Sequence, residues 1–234
     1  MSVLYLTPTP LSENSIQKIL PTHVITVIHS LRQFIVEDIR TARRFLSKTG
    51  HPESIDNLQF RELNEHTTEN EIASLLPYLQ SADTGLLSEA GAPAVADPGA
   101  KIVRMAHAHG ITVIPLVGPS SILMALMASG LNGQSFAFAG YLPVKTKERQ
   151  ERLKVLERRS ANENQTQIFI ETPYRNMQLL NDILLSCRPE TLLTIASEIT
   201  GEKEMILTQT IRKWKEKLPC LNKIPSVFLL QANS

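Results

Sequence analysis

Between Thr84 and Gly130 the chain twice leaves a short apolar run through a loop of small residues and enters a helix-forming stretch. The first passage runs from Thr84–Ser88 through Glu89-Ala90-Gly91-Ala92-Pro93-Ala94 to a helix that ends at Gly110. Asp97 is expected to cap that helix and Pro98 to stand in its first turn, where a missing N–H costs nothing. The second passage runs from Ile111–Val117, expected to be a buried strand, through Gly118-Pro119-Ser120-Ser121 to a helix over Ile122–Ser129. Apolar runs of strand length alternating with helices predict a parallel sheet covered on both faces. Such sheets bind ligands outside the carboxyl ends of their strands. A loop of Gly, Ala and Pro at that place leaves the backbone open to a ligand, and Gly91 tolerates a positive φ.

The same alternation extends both ways. Upstream it predicts a strand over Val3–Leu6, a short helix over Ser15–Leu20 and a strand over the β-branched run His23–His29. A strand over Phe34–Val36, a helix from Glu37-Asp38 to Lys48 and a helix over Asn70–Gln80 follow. Downstream, strands are predicted over Phe136–Tyr141, Gln167–Ile170, Thr191–Ala196 and Pro225–Leu230. Between them fall helices over Lys147–Arg159, Pro173–Leu185 and Ile211–Lys217. The first series is complete near Gly118. Two α/β domains are therefore expected: residues 1–117, with a mostly parallel sheet and helices on both faces, and residues 118–234, with a mixed sheet.

Composition narrows the function by exclusion. With 42% hydrophobic and 20% charged residues the chain is globular, and its net charge of +1 exerts no global pull on a polyanion. Cys187 and Cys220 form no CxxC pair, which predicts neither a zinc site nor a disulfide and suits a reducing compartment. No apolar run approaches the roughly 18–20 residues that span a bilayer, and the N-terminus lacks a basic n-region, so a cytoplasmic protein without membrane contact is expected. Neither GxGxxG nor GxxxxGK[ST] occurs, which removes support for NAD-type and ATP-type sites. Positive charge gathers in two places. Residues 145–159 hold seven basic against three acidic side chains, and Arg40, Arg43 and Arg44 form a second cluster. Either group offers phosphate contacts, or simply a solvated helix face laced with i,i+4 pairs such as Glu148–Arg152.

The run from Leu87 to Gly99 resembles the main loop of the tetrapyrrole methylase superfamily, and within it the bacterial small-subunit rRNA 2′-O-ribose methyltransferases. Further matches fall in the same order: Glu37-Asp38-Ile39-Arg40, Asn64-Glu65-His66, Pro115–Ser121, Tyr141-Leu142-Pro143, the segment Phe169–Arg175, and Glu198-Ile199-Thr200. The chain departs from the family pattern at Ser12, Ile39 and Glu89. The resemblance implies S-adenosylmethionine held in a cleft between two α/β domains of a homodimer, with no metal. Carried over residue by residue, it places the cofactor against Leu87, Ser88, Gly91, Ala92, Pro93, Ala94, Val95, Ser120 and Ser121, with Tyr174 and Ala196 from the second domain. It implies ribosomal RNA or the small ribosomal subunit as partner, with Asn64 as a substrate contact, to which the two basic clusters add Arg40, Lys145 and Lys147.

Methyl transfer from a sulfonium is an in-line displacement in which the protein positions the groups and, for a hydroxyl acceptor, removes a proton. Asp38 and Glu65 are the leading candidates for the base, with Glu37, His66 and Glu171 behind them. Asp38 reads equally well as the cap of the helix that follows it, and His66 as an ordinary loop histidine. Two other readings stay open at this point: a methyltransferase of a tetrapyrrole precursor, and a cofactor-binding module without catalysis.

Overall fold

The computed structural model describes residues 2–12 and 16–232, so Ser15 of the predicted first helix lies outside the described residues. The chain divides into two compact units, residues 1–120 and 121–234.

The first unit is built on five strands: β1 (Val3–Thr7), β2 (Gln33–Val36), β3 (Gln59–Glu62), β4 (Thr84–Leu87) and β5 (Thr112–Pro115). They lie in the order β3-β2-β4-β1-β5, and every neighbouring pair is parallel. Parallel neighbours need crossover connections. These are supplied by α1 (Ile16–Ile19), α2 (Thr22–Ser30), α3 (Ile39–Lys48), α4 (Glu69–Ser74), α5 (Leu76–Ser81) and α6 (Ala100–Ala108). Successive strand residues feed opposite faces. Phe34, Val36 and Leu87 pack with Val24, Ile28, Ala42 and Leu46 of α2 and α3. Ile35 and Leu86 pack with Ile72, Leu79, Ile102 and Ala106 of α4, α5 and α6.

Four expectations are corrected here. The run His23–His29 is helical, not a strand: Val24 and Ile28, four residues apart, are its buried residues. A crossover was required between β1 and β2, and burial of one helical face overrides the weak helix propensity of β-branched residues. The helix predicted over Asn70–Gln80 breaks at Leu75 into α4 and α5, with Pro77 in the first turn of α5, where it cannot continue the hydrogen-bond ladder. Ile111–Val117 is not a buried strand; β5 lies at the sheet edge and is largely exposed. Asp97 does not cap α6, which begins three residues later at Ala100.

The second unit opens with α7 (Ser121–Ser129) and carries β6 (Phe136–Tyr141), α8 (Thr146–Glu163), β7 (Thr166–Ile170), α9 (Asn176–Ser186), β8 (Leu192–Ser197), β9 (Met205–Thr210), α10 (Ile211–Trp214) and β10 (Ser226–Gln231). The sheet order is β6-β7-β10-β8-β9, with β6–β7 parallel and the remaining pairs antiparallel, a mixed sheet as expected. α8 and α9 pack together over Phe169, Leu193, Ile195 and Phe228, while α7 lies against β9 and β10. Among the described residues, no helix is long and apolar enough to cross a membrane.

Candidate active site

The sheet order of the first unit creates its own crevice. β1 passes the chain toward β2 on one side of the sheet, and its neighbour β4 passes it toward β5 on the other. Loops leaving adjacent strands toward opposite faces part at the carboxyl edge, which is where open α/β sheets bind ligands. Here the two loops are Thr7–Ser12 and Ser88–Asp97, of which the sequence singles out only the second.

They are stitched together. Thr9 and Gly91 exchange both backbone hydrogen bonds at 3.0 Å, Thr9 Oγ1 donates to the Ser88 carbonyl at 3.1 Å, and Ser88 Oγ donates to the Gly91 carbonyl at 3.0 Å. Gly91 sits at φ +83°, and a Cβ there would meet Leu11 at 3.0 Å. Its backbone groups are thus occupied by Thr9. Beyond it, Ala94 and Ala96 adopt φ of 65° and 61°, unusual for residues with a Cβ. Asp97 Oδ1 spans the second half of the loop, accepting from Ala94 N at 2.8 Å and Gly99 N at 2.7 Å. Asp97 therefore closes the loop instead of capping a helix, and burial raises its pKa. Such strain persists where surrounding structure over-determines it, and it gathers at ligand sites.

Against these loops lies a cavity of about 280 Å³ lined by Thr9, Leu11, Glu37, Asp38, Thr41, Arg44, Lys48, Ser88 and Glu89, among others. Glu37 ends the β2 strand run and faces this space. Burial, then the nearby Asp97 and Glu89, push its carboxyl up to about 7. Thr41 Oγ1 donates to Glu89 Oε1 at 2.6 Å. Asp38, by contrast, is the cap of α3: its Oδ1 accepts from Arg40 N and Thr41 N at 2.8 and 2.9 Å. Those hydrogen bonds, the one from Thr41 foremost, lower its pKa, which makes it a weaker base than Glu37.

The other sequence-predicted residues divide by location. Leu87 is buried in the core under α2 and α3; Ser88, Gly91 and Pro93 are buried, Ala92, Ala94 and Ser120 half-buried, and Val95 exposed. Glu65 and His66 stand exposed beside each other, 3.6 Å apart. Asn64 is consumed locally, donating to Glu62 and accepting from His66 N. Arg40 is exposed, whereas Arg43 is tied to Asp56 and lies over Phe60. In the second unit Ser121 begins α7, Ala196 is fully buried within its sheet, and Tyr174 is exposed with Lys223 Nζ 5.8 Å from its ring centre. Lys145 pairs with Glu148, so the anticipated Glu148–Arg152 pair gives way to it, and Lys147 is exposed. Arg149, counted with that basic run, is buried: it pairs with Asp182 and donates to the Pro143 and Val144 carbonyls, fixing the loop that leads to Lys145. At the end of β7, Glu171 receives Thr172 N and Arg175, while Glu171 Oε2, Arg175 Nε and Asn176 Oδ1 are buried without a protein partner. Among the described residues no cluster of ligands suited to a metal occurs. Sequence reasoning missed Thr9 as the staple of the main loop and Lys48 as a cavity residue. Only the i,i+4 spacing of Lys48 from Arg44 signalled the latter.

A parallel sheet with a strained small-residue loop at its switch point, carboxylates beside it and a second mixed-sheet unit define a two-unit α/β enzyme class that binds a small ligand at a strand edge. The profile of the tetrapyrrole (corrin/porphyrin) methylases matches residues 25–214, and the chain belongs to that family. It is 32% identical over 205 residues to the ribosomal RNA small subunit methyltransferase I of Vibrio cholerae, covering 87% of this chain and 67% of that protein. It is 30% identical over 233 residues to the protein of the same name from Pasteurella multocida, covering 98% of this chain and 79% of that one. The crystal structure of the methyltransferase CobJ superposes with a TM-score of 0.66 at 14% identity, over 99% of this chain and 94% of that one, a likeness of fold.

Proposed function

We propose that this chain is an S-adenosylmethionine-dependent methyltransferase that methylates a ribose 2′-hydroxyl of small-subunit ribosomal RNA, acting as a homodimer in the cytoplasm. The observation that carries the reading is the stapled, strained loop Ser88–Asp97 beside a cavity lined by Glu37 and Glu89. Family membership and relatives named for small-subunit rRNA methylation support it.

The donor set suits the cofactor. S-adenosylmethionine carries a sulfonium and an ammonium, and the gathering of Glu37, Glu89 and Asp97 is a site where positive charge relieves mutual repulsion. Residues 91–95 and Ser120 would hold it in the first unit. When bound, the cofactor supplies a methyl group activated by its positively charged sulfur. Glu37 would accept the proton that the acceptor hydroxyl gives up on exchanging its O–H bond for a bond to the methyl carbon, whose bond to sulfur breaks. A carboxylate with a pKa near neutrality is matched to that task, and Glu37 replaces Asp38 and Glu65 in the role. Asp38 orients α3 through its cap. Thr41 fixes the Glu89 carboxylate, which keeps the wall of the cavity in place.

The test is to incubate the purified protein with methyl-labelled S-adenosylmethionine and small subunits from cells lacking it. Label is expected in ribosomal RNA, within nucleosides whose 3′ linkage resists alkali, the mark of ribose methylation. Label in a tetrapyrrole fraction instead moves the substrate to that class. Cofactor binding without label in any fraction leaves a non-catalytic module.

A further inference from the structure

We infer that the exposed face of α3 is the track along which the phosphodiester backbone of the RNA substrate enters the Glu37 cavity, with Arg40, Arg44 and Lys48 as successive phosphate contacts. The inference rests on the proposed RNA substrate and adds where that RNA lies.

The sequence of α3, IRTARRFLSK, contains no acidic residue. Ala42 and Leu46 face the core. Arg40, Arg44 and Lys48 recur every four residues on the opposite side, and all three are exposed. A helix rises 1.5 Å per residue, so the three charges form a row about 12 Å long. Arg44 and Lys48 also line the cavity that holds Glu37, so the row borders the site of chemistry. Among the described residues neither has an acidic side chain within ion-pair distance, and Arg40 has only a 3.5 Å contact with its own cap, Asp38. Arg43, the remaining arginine of the helix, is turned to Asp56 and has a structural task.

The other basic run behaves differently. Lys145, just before α8, pairs with Glu148, Lys154 and Arg159 on the helix pair with Glu151 and Glu163, and Arg149 is buried, which leaves Lys147, Arg152 and Arg158 exposed. Neutralised charges release few counterions from a polyanion; unpaired ones release about one each. Raw count favours α8, and its exposed Lys147, Arg152 and Arg158 match the free charge of α3; what separates the two is place, because Arg44 and Lys48 line the Glu37 cavity and no α8 side chain does. An anionic membrane is the less suitable partner, because the exposed positions of α3, Arg40, Thr41, Arg44, Ser47 and Lys48, offer no apolar group to insert.

The experiment measures binding of a fluorescent fragment of small-subunit RNA across a salt series, for the full chain and two double variants. Removing two phosphate contacts flattens the plot of log K against log salt by about 1.4 to 1.8 units. Arg44→Ala/Lys48→Ala is expected to show that change, with affinity for S-adenosylmethionine and melting temperature retained. Arg152→Ala/Arg158→Ala removes the same formal charge from α8 and is expected to leave the slope within half of that change. Equal slopes for the α3 variant and the unchanged protein overturn the inference, as does an equal effect of both variants. If the unchanged protein methylates the RNA while the α3 variant binds it normally, the track is wrong and the rRNA reading stands. If the unchanged protein neither binds nor methylates the RNA, both fail. Binding to phosphatidylserine vesicles that depends on Arg44 and Lys48, without RNA binding, assigns the row to a membrane and overturns the inference.

Discussion

Glu37 and Asp38 are neighbours in sequence and opposites in chemistry. Both read from sequence as acids at the start of a helix, and only the fold separates them. Asp38 turns back to cap α3 and accepts two backbone N–H groups. Glu37 turns into a half-buried space shared with other carboxylates and is raised from 4.5 to about 7. The folded protein therefore binds the Glu37 proton more tightly than the unfolded chain does. Its contribution to stability is present below about pH 4.5 and is lost as pH rises through about 7. Glu37→Gln removes that penalty. We expect the variant to be more stable than the native protein by about 1–2 kcal/mol at about pH 8, after allowance for Glu37's partial exposure, and the advantage to vanish near the lower end of the window. Chemical denaturation at the two pH values measures it. The same variant is expected to lose about a hundredfold or more in methyl transfer and to lose the rising limb of the pH profile near neutrality. A variant that keeps both the rate and the limb removes Glu37 from the reaction.

At the scale of elements, the loop Ser88–Asp97 stands out in the sequence because its composition is so spare, but its restraint does not. The sequence offers Asp97-Pro98 as a helix start, and the pattern fits. What it hides is that α6 begins at Ala100 and that the aspartate is spent on Ala94 and Gly99. Backbone strain at two alanines leaves no trace in composition. The misreading of His23–His29 has another cause: β-branched residues favour strands locally, but two parallel strands bonded to β4 force a crossover helix between them. β3 and β9 escaped notice because they are edge strands with mixed exposure and lack a continuous apolar run. The central strands β1, β2 and β4, buried enough to show such runs, were each found within a residue or two. The loop carries its own test. Asp97→Ala frees the Ala94 and Gly99 N–H groups and so releases the positive-φ Ala94, which should cost about 1–3 kcal/mol of stability. If the held conformation is what accepts the cofactor, affinity for S-adenosylmethionine measured by titration calorimetry should fall at least tenfold at a temperature where the variant remains folded. Unchanged affinity would detach cofactor binding from the restraint.

On the scale of the whole molecule, a net charge of +1 means that partners are chosen by local surfaces. One of these is apolar. α7 buries Ala125, Leu126 and Ser129 but presents Leu123 and Met127, 49% and 82% exposed, four residues apart on one face. Two large apolar side chains stacked on an exposed helix face are costly to leave in water, and burying each fully is worth about 1.5–3 kcal/mol. A second copy of the chain is the occupant consistent with the proposed homodimer, since a two-fold interface places the same patch on both sides. Sedimentation equilibrium of the native protein at micromolar concentration is then expected to give twice the mass of one chain. Met127→Glu places a carboxylate in each half of that interface, where it is stripped of water and faces apolar groups without a partner. The substitution is expected to raise the dissociation constant at least a hundredfold while leaving the melting of the separated chain unchanged, because Met127 touches solvent in the single chain. A native protein that sediments as one chain at those concentrations rules out α7 as a stable dimer face. A Met127→Glu protein that stays dimeric shifts the search to the other exposed apolar residues, beginning with Val117 and Tyr141.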